Sequence, residues 1–257
     1  QLEGTALNEV SEYGYKIVRL PSKFINLYNP PYISSTGLLE TLNEIDADIV
    51  NFNYRWAPSY SKDMRRYAGK KVFTFHNMWG EGVGLQHYAS AISDRLFKRT
   101  LDTFDHIISV SDYVRSDLIG RGFPSDKVTT ATPCLDRYPE ITGEEDDFIL
   151  YVGRLVRTKG LDYLVKAMQD VDTKLIICGK GPDMERLKKK IERYGVSDKV
   201  ELKGWVSEEE KDHYMSRCKL FVMPSLYESY GLAALEILSY GKPVICTNVD
   251  GLPMTVQ

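Results

Sequence analysis

The stretch ESYGLAALEILSYGKP, residues 228–243, contains two carboxylates, and Glu236 is the only charged side chain between Ser229 and Gly241. Among Leu235, Ile237 and Leu238 it reads as an acid in a buried helix, and unpaired buried charge is strongly disfavoured. Some donor must meet it. Carboxylates accept hydrogen bonds from hydroxyls, so Glu228 and Glu236 suit the vicinal diols of a ribose or another sugar. Gly231 opens the helix between them, where backbone N–H groups are left free. In YVGRLVRTKGLDYL, residues 151–164, a strand ends near Val152, Gly153 permits a tight turn, and Arg154 and Lys159 precede a helix that starts near Gly160. Two cations beside a helix N-terminus can bind phosphate oxygens. The two stretches thus divide a ligand between them: cations and N–H groups for a diphosphate, acids for the alcohols on either flank. Each alone has a plainer reading. Basic residues in such a loop are mostly solvated surface, and a Lys or Arg beside Glu236 would satisfy it without any ligand.

Other stretches carry weaker chemical cues. In KKVFTFHNMWGEG, residues 70–82, His76 follows an apolar strand, and Asn77, Trp79 and Glu81 come after it. The acidic triplet DAD at 46–48 has the form of a metal motif but stands before the strand IVNF, at the wrong end for a cleft. GEGVG at 80–84 lacks dinucleotide spacing and reads as a mobile loop. In CGKGPDMERL, Gly179 and Gly181 could approach a nucleotide, although turn geometry explains them. Tyr54 and Trp56 could stack on a sugar or pack in the core. Lys62, Arg65, Arg66, Lys70 and Lys71 could touch anionic lipid, a solvated helix face being the plainer reading. No metal site is assigned.

These residues need elements to position them. Short β-rich runs alternate with amphipathic stretches, which predicts an α/β fold of repeated βα units around parallel sheets. Ten strands are expected: YKIVRL, ADIVNF, KKVFTF, HIISV, KVTTA, FILYVG, TKLIICG, KVELKG, KLFVMP and PVICTN. Helices are expected near 37–45, 59–68, 88–103, 112–121, 160–169, 183–194, 207–217 and 231–240. Ser111 is a predicted N-cap, and Ser207 with Glu210 has capping-box spacing. The proline- and acid-rich stretch 132–147 breaks the rhythm and reads as a linker between domains 1–140 and 141–257. Ligands of open α/β sheets sit at the carboxyl ends of the strands, so the residues just after each strand matter most.

The 257 residues are 43% hydrophobic with a formal charge of −3 spread along the chain, which predicts ordinary cores and no nucleic-acid partner. Cys134, Cys178, Cys218 and Cys246 show neither metal-ligand nor CxxC spacing, pointing to reduced thiols and a cytoplasmic protein. No apolar run reaches the ~20 residues of a membrane helix, so membrane contact would be peripheral.

ESYGLAALEILSYGKPVI resembles the E-x7-E motif of retaining GT-B glycosyltransferases of family 4, with VGRLVRTKG upstream, GWVSEEE at 204–210 and VDGLP after the last strand. The match runs through the second half in order. The resemblance implies two Rossmann-like domains and transfer of a glycosyl group from a nucleoside diphosphate sugar to an acceptor hydroxyl with retention. It implies that Arg154 and Lys159 hold the donor phosphates, Glu228 contacts the donor sugar and Glu236 the ribose. Trp205 and Val206 would lie beside the base, and Ser229, Tyr230, Gly231 and Leu232 would form the diphosphate turn. His76 would face the donor sugar and the acceptor from the first domain. No cofactor beyond the donor substrate and no metal is implied; the acceptor would be a sugar or a lipid-linked sugar, as in polysaccharide or glycolipid synthesis.

The chain departs from the family pattern at both ends. YKIVRLPS is similar to the family's third strand, so the first strands and their glycine loop are expected to be missing, as are the last units of the second domain. Alternatives of other classes are a nucleotide-sugar-binding paralogue without catalysis, and a related GT-B enzyme such as a sugar-nucleotide epimerase or an α-glucan phosphorylase; no pyridoxal lysine motif supports the last.

Overall fold

The computed structural model describes residues 7–25, 32–79, 85–136, 138–141, 143 and 145–256. The chain opens with two antiparallel hairpins, β1 (Leu7–Val10) with β2 (Lys16–Arg19) and β3 (Ser22–Ile25) with β4 (Tyr32–Ser35). Then α1 (Leu38–Ile45), β5 (Val50–Phe52), α2 (Pro58–Arg66), β6 (Lys71–Phe75), α3 (Leu85–Leu101), β7 (His106–Ser109), α4 (Asp112–Gly120) and β8 (Val128–Thr130) alternate. Their strands form a parallel sheet in the order β5-β6-β7-β8.

Past a stretch without strand or helix among its described residues, the second half runs β9 (Phe148–Val152), α5 (Leu161–Ala167), β10 (Lys174–Cys178), α6 (Met184–Tyr194) and β11 (Val200–Gly204). It continues with α7 (Glu208–Arg217), β12 (Leu220–Met223), α8 (Leu232–Ser239), β13 (Val244–Cys246) and α9 (Leu252–Thr255). Here the parallel order is β11-β10-β9-β12-β13. The chain moves outward from β9 to β11 and then returns to the other side of β9. The gap beyond the carboxyl ends of β9 and β12 is therefore a topological switch point, where α/β sheets place ligands.

Alternation along β9 builds this half's two layers. Ile149 and Tyr151 enter the core that includes Leu164, Val165 and Leu187, while Phe148 and Leu150 enter the one that includes Met215, Phe221 and Ile237. Covered on both faces, β9 can be an unbroken apolar run. In the first half Phe73 and Phe75 of β6 pack with Phe97 and Leu101 of α3. The Arg55–Asp94 ion pair, 3.2 Å long, lies buried against Trp56 and Phe75.

All ten expected strand segments are extended and all eight helices form. Ser111 accepts from the Val114 N–H, and Ser207 and Glu210 close a reciprocal capping box. Several expectations are corrected. YKIVRL is not a strand of a parallel sheet: Lys16–Arg19 pairs antiparallel with Leu7–Val10 across a turn in which Gly14 takes φ 84°. The basic cluster is not one solvated face, because Lys71 is buried with Nζ donating to the Met64 and Tyr67 carbonyls, both at 2.9 Å. Trp56 is 4% exposed, so it packs in the core. Asp46 closes the end of α1 in a left-handed conformation, its N–H donating to the Leu42 carbonyl. The α8 segment is not buried throughout: Ala234 and Ile237 are, whereas Leu232 and Leu238 are exposed. GEGVG and Glu81 lie outside the described residues.

Candidate functional site

The loop after β9 is shaped by glycines whose role is close approach. A Cβ on Gly179 would lie 1.8 Å from the Gly153 carbonyl oxygen, and one on Gly181 would lie 2.1 Å from that of Leu155. Only hydrogens let the β10 loop press so closely against the β9 loop. The Gly153 and Leu155 N–H groups donate to the Cys178 and Lys180 carbonyls at 3.0 and 2.9 Å. The buried Tyr151 hydroxyl donates to the Arg154 carbonyl at 3.2 Å, and burial raises its pKa. Arg154 is thus presented from a braced turn.

Lys159 ends a 3-10 turn, Arg157–Lys159. Next to it Gly160 takes φ 64°, and a Cβ there would stand 2.0 Å from the Pro224 carbonyl oxygen. The Leu226 N–H donates to the Thr158 carbonyl at 2.7 Å, joining the loops after β9 and β12. Lys159 Nζ consequently reaches Glu228 Oε2 at 2.5 Å, with side-chain exposures of 15% and 11%.

The Glu228 peptide is gripped on both sides: its N–H donates to Asp250 Oδ2 at 3.1 Å, and its carbonyl accepts from the Gly251 N–H at 2.9 Å. Gly231, at φ 99°, turns the chain into α8, which has no side-chain cap. The first N–H groups of α8 therefore face the cleft as donors.

The first half closes the other wall. His76 follows β6, and its Nε2 lies 2.8 Å from Asn53 Oδ1. Asn53 Nδ2 donates to the Asn51 carbonyl at 3.3 Å, which orients the amide. Nε2 therefore carries the proton, and Nδ1 of the neutral ring is an acceptor. Desolvation of the ring lowers the His76 pKa below the ordinary 6.5. Three contacts tie the halves together here. Ser229 Oγ donates to the His76 carbonyl at 2.6 Å, Ser111 Oγ donates to the Ser229 carbonyl at 2.7 Å, and Tyr230 packs against the first core.

His76, Arg154, Lys159, Glu228, Ser229, Tyr230, Gly231 and Leu232 line one cavity of about 320 Å³, together with Val110, Pro133 and Tyr151 among others. Eight of the eleven residues singled out from the sequence thus converge. Trp205, Val206 and Glu236 do not line it. Trp205 is 68% exposed with Lys180 Nζ 5.9 Å from its ring, and Val206 packs against the core of Phe221 and Met215. Glu236 has Lys211 Nζ 3.7 Å away and is 34% exposed at the side chain, so a protein cation from α7 meets it. Trp79 stacks on Phe75 inside the first domain and does not line the cavity. Asn53 carries no sequence signal for the site, Ser111 reads there only as a helix cap, and Asp250 only as part of VDGLP. Val110, like His76, follows its strand directly and was within reach of the strand-end rule.

The cavity joins two cations and helix N–H groups, suited to a diphosphate, to a carboxylate suited to hydroxyls and a ring nitrogen across the cleft. Among the described residues no group of three or more His, Cys, Asp or Glu side chains is placed to hold a metal, and no helix is long and apolar enough to cross a membrane.

Residues 3–137 match the profile of Glycosyltransferase Family 4, and residues 136–257 that of Glycosyl transferases group 1. The gpi3 subunit of phosphatidylinositol N-acetylglucosaminyltransferase from Schizosaccharomyces pombe is 29% identical over 195 residues, covering 72% of this chain and 42% of that one. The O-antigen chain mannosyltransferase B of Escherichia coli is 30% identical over 184 residues, covering 63% and 48%. The chain spans less than half the length of these curated relatives. Among solved structures, Anabaena HepE in complex with UDP and glucose superposes with a TM-score of 0.74 at 18% identity, covering 86% of this chain and 64% of that one. Sucrose-phosphate synthase from Thermosynechococcus elongatus gives 0.71 at 23%, covering 97% and 70%. These two likenesses concern the fold. With one profile matching over half its residues and the second continuing to residue 257, the chain belongs to the family 4, group 1 glycosyltransferases, and its fold is GT-B.

Proposed function

We propose that the chain provides the donor cleft of an enzyme that moves a glycosyl group from a nucleoside diphosphate sugar to an acceptor hydroxyl with retention, residues 1–140 forming the acceptor side and 141–257 the donor side. The observation that carries this reading is the convergence of Arg154, Lys159, Glu228 and the start of α8 at the switch point of the second sheet, with His76 opposite. Arg154, Lys159 and the α8 N–H groups would hold the diphosphate and stabilise the charge that builds on its leaving oxygen. Glu228 would accept hydrogen bonds from the hydroxyls of the transferred sugar. His76 Nδ1 would accept one from the sugar or the acceptor.

Retention fits this cavity. Glu228 is the one carboxylate among its described lining residues, and it is already paired with Lys159. A phosphate oxygen of the leaving group would then take the proton of a hydroxyl arriving on the same face, with His76 Nδ1 orienting the sugar or the acceptor. Glu236, with one oxygen 3.7 Å from Lys211, keeps acceptor capacity for a ribose hydroxyl outside this cavity, while Trp205 and Val206 would flank the base from the rim. The named relatives act in N-acetylglucosaminyl and mannosyl transfer, which supports a hexosyl donor and a saccharide or lipid-linked acceptor. Incubation with a panel of UDP- and GDP-sugars and saccharide acceptors, read by mass spectrometry and by anomeric NMR of the product, tests this. The expected product keeps the donor's anomeric configuration. An inverted product would contradict the retaining mechanism, and binding of the panel without product would contradict transfer.

A further inference from the structure

We propose that Asp250 is a positioning residue for Glu228, holding its peptide in place and linking that hold to contact between the two halves of the chain. The proposal deepens the glycosyl-transfer reading and rests on it for the role of Glu228. Asp250 sits at φ 50°, one of two described non-glycine residues at positive φ. Such a conformation is unfavourable for an ordinary residue, and Asp tolerates it because its short side chain bonds locally. The bond it makes is specific: Oδ2 accepts from the Glu228 N–H at 3.1 Å. The following Gly251 donates its N–H to the Glu228 carbonyl at 2.9 Å, and a Cβ there would meet the Ser229 carbonyl oxygen at 2.1 Å. The 250–251 peptide is therefore pressed along the Glu228–Ser229 backbone.

The other side of Asp250 faces the first half. The Tyr113 phenol of α4 stands beside its carboxylate, and burial first, then that carboxylate, raise the phenol's pKa. Two residues away, Ser111 Oγ donates to the Ser229 carbonyl at 2.7 Å. Asp250 thus joins α4 to the backbone of Glu228, which holds Lys159. If the halves part, Asp250 loses its neighbour Tyr113 and Ser229 loses Ser111, so the backbone on both sides of the Glu228 peptide gives up a restraint. A misplacement of about 1 Å at a reacting group can cost on the order of a hundredfold in rate.

Asp250→Gly is the discriminating variant, because it deletes the carboxylate at a position where glycine carries no strain. Asp250→Asn keeps an acceptor oxygen and tolerates the same backbone. Amide hydrogen exchange at Glu228 is measured in the wild-type chain, both variants and Tyr113→Phe, alongside UDP and GDP affinity and turnover. We expect Asp250→Gly to speed exchange at Glu228 about tenfold or more and to lower kcat about tenfold or more, with nucleoside diphosphate affinity within about threefold of wild type, because Asp250 bonds the Glu228 peptide and not Arg154, Lys159 or the α8 N–H groups. Asn should restore both readouts to within about threefold, and Tyr113→Phe should fall between. Unchanged exchange in Asp250→Gly would overturn the proposal. So would kcat and affinity falling together without rescue by Asn, the mark of general loop collapse. A wild-type chain that binds neither UDP nor GDP would strike the glycosyl-transfer reading instead, and the exchange comparison would still decide the positioning.

Discussion

Lys159 and Glu228 hold each other at 2.5 Å with little exposure to solvent, so removing either one strands its partner. Lys159→Met should destabilise the chain by about 1–3 kcal/mol, less than for a fully buried pair because both side chains keep some exposure. Adding Glu228→Gln should recover part of that loss; urea midpoints that simply add would contradict the coupling. His76 makes a separate prediction. Its folded pKa lies below 6.5, so as pH falls through 6.5 the unfolded chain takes up a proton that the folded chain refuses. The histidine's contribution to stability is complete above that pH and declines below it, through the folded pKa. An NMR titration of the ring should give a midpoint under 6.5, and His76→Gln should flatten stability between pH 7 and pH 5. A midpoint at or above 6.5 would refute the desolvation argument. The type of each of these residues was legible in the sequence, since cations, acids and a histidine stood directly after apolar strands. Their pairing was not: Asn53 meets His76 only because β5 and β6 run in parallel register, and Lys211 meets Glu236 only because α7 lies beside α8.

The elements explain why the site survives its own tight packing. The β9 and β10 loops touch backbone to backbone at Gly179 and Gly181, and the loop after β12 touches Gly160 in the same way. Gly181→Ala and Gly160→Ala should each cost about 2–4 kcal/mol, the second also through its positive φ, and should loosen Arg154 and Lys159. A neutral effect in urea unfolding would show that the loops can separate freely. Ser207→Ala, which removes an N-cap far from the cavity, should cost only about 1 kcal/mol and leave ligand affinity alone. The parallel framework was legible because alternation of apolar strands with amphipathic helices survives in linear form. The hairpins of the first residues were not, because their four-residue strands are too short for period-two alternation to stand out, and YKIVRL carries the apolar pattern of a parallel strand. Glycines read as turn formers proved to be contact points, since a close approach from a distant loop leaves no mark on local sequence.

At the scale of the whole molecule, the cleft is a joint between two sheets, closed at Ser229 by the His76 carbonyl and by Ser111. Each such hydrogen bond is worth about 0.5–1.5 kcal/mol net. Ser111→Ala with Ser229→Ala should therefore reduce the closed fraction and weaken donor affinity by about three- to tenfold, with about 1 kcal/mol lost from the first half through the α4 cap and little change in the second. Equal affinity in that variant would show that closure and donor binding are independent. The division into two sheets was foreshadowed by the proline-rich stretch at 132–147, but the contacts that join them could not be read from it, because they pair residues more than a hundred positions apart. The central claim is that Arg154, Lys159 and the start of α8 bind a diphosphate. Calorimetric titration of UDP and GDP into the wild-type chain and into Arg154→Ala with Lys159→Ala tests it most directly. The account predicts saturable binding of at least one nucleotide by the wild type and a loss of about a hundredfold or more in the double variant; equal affinity in the two chains, or no binding of either nucleotide by the wild type, would contradict it.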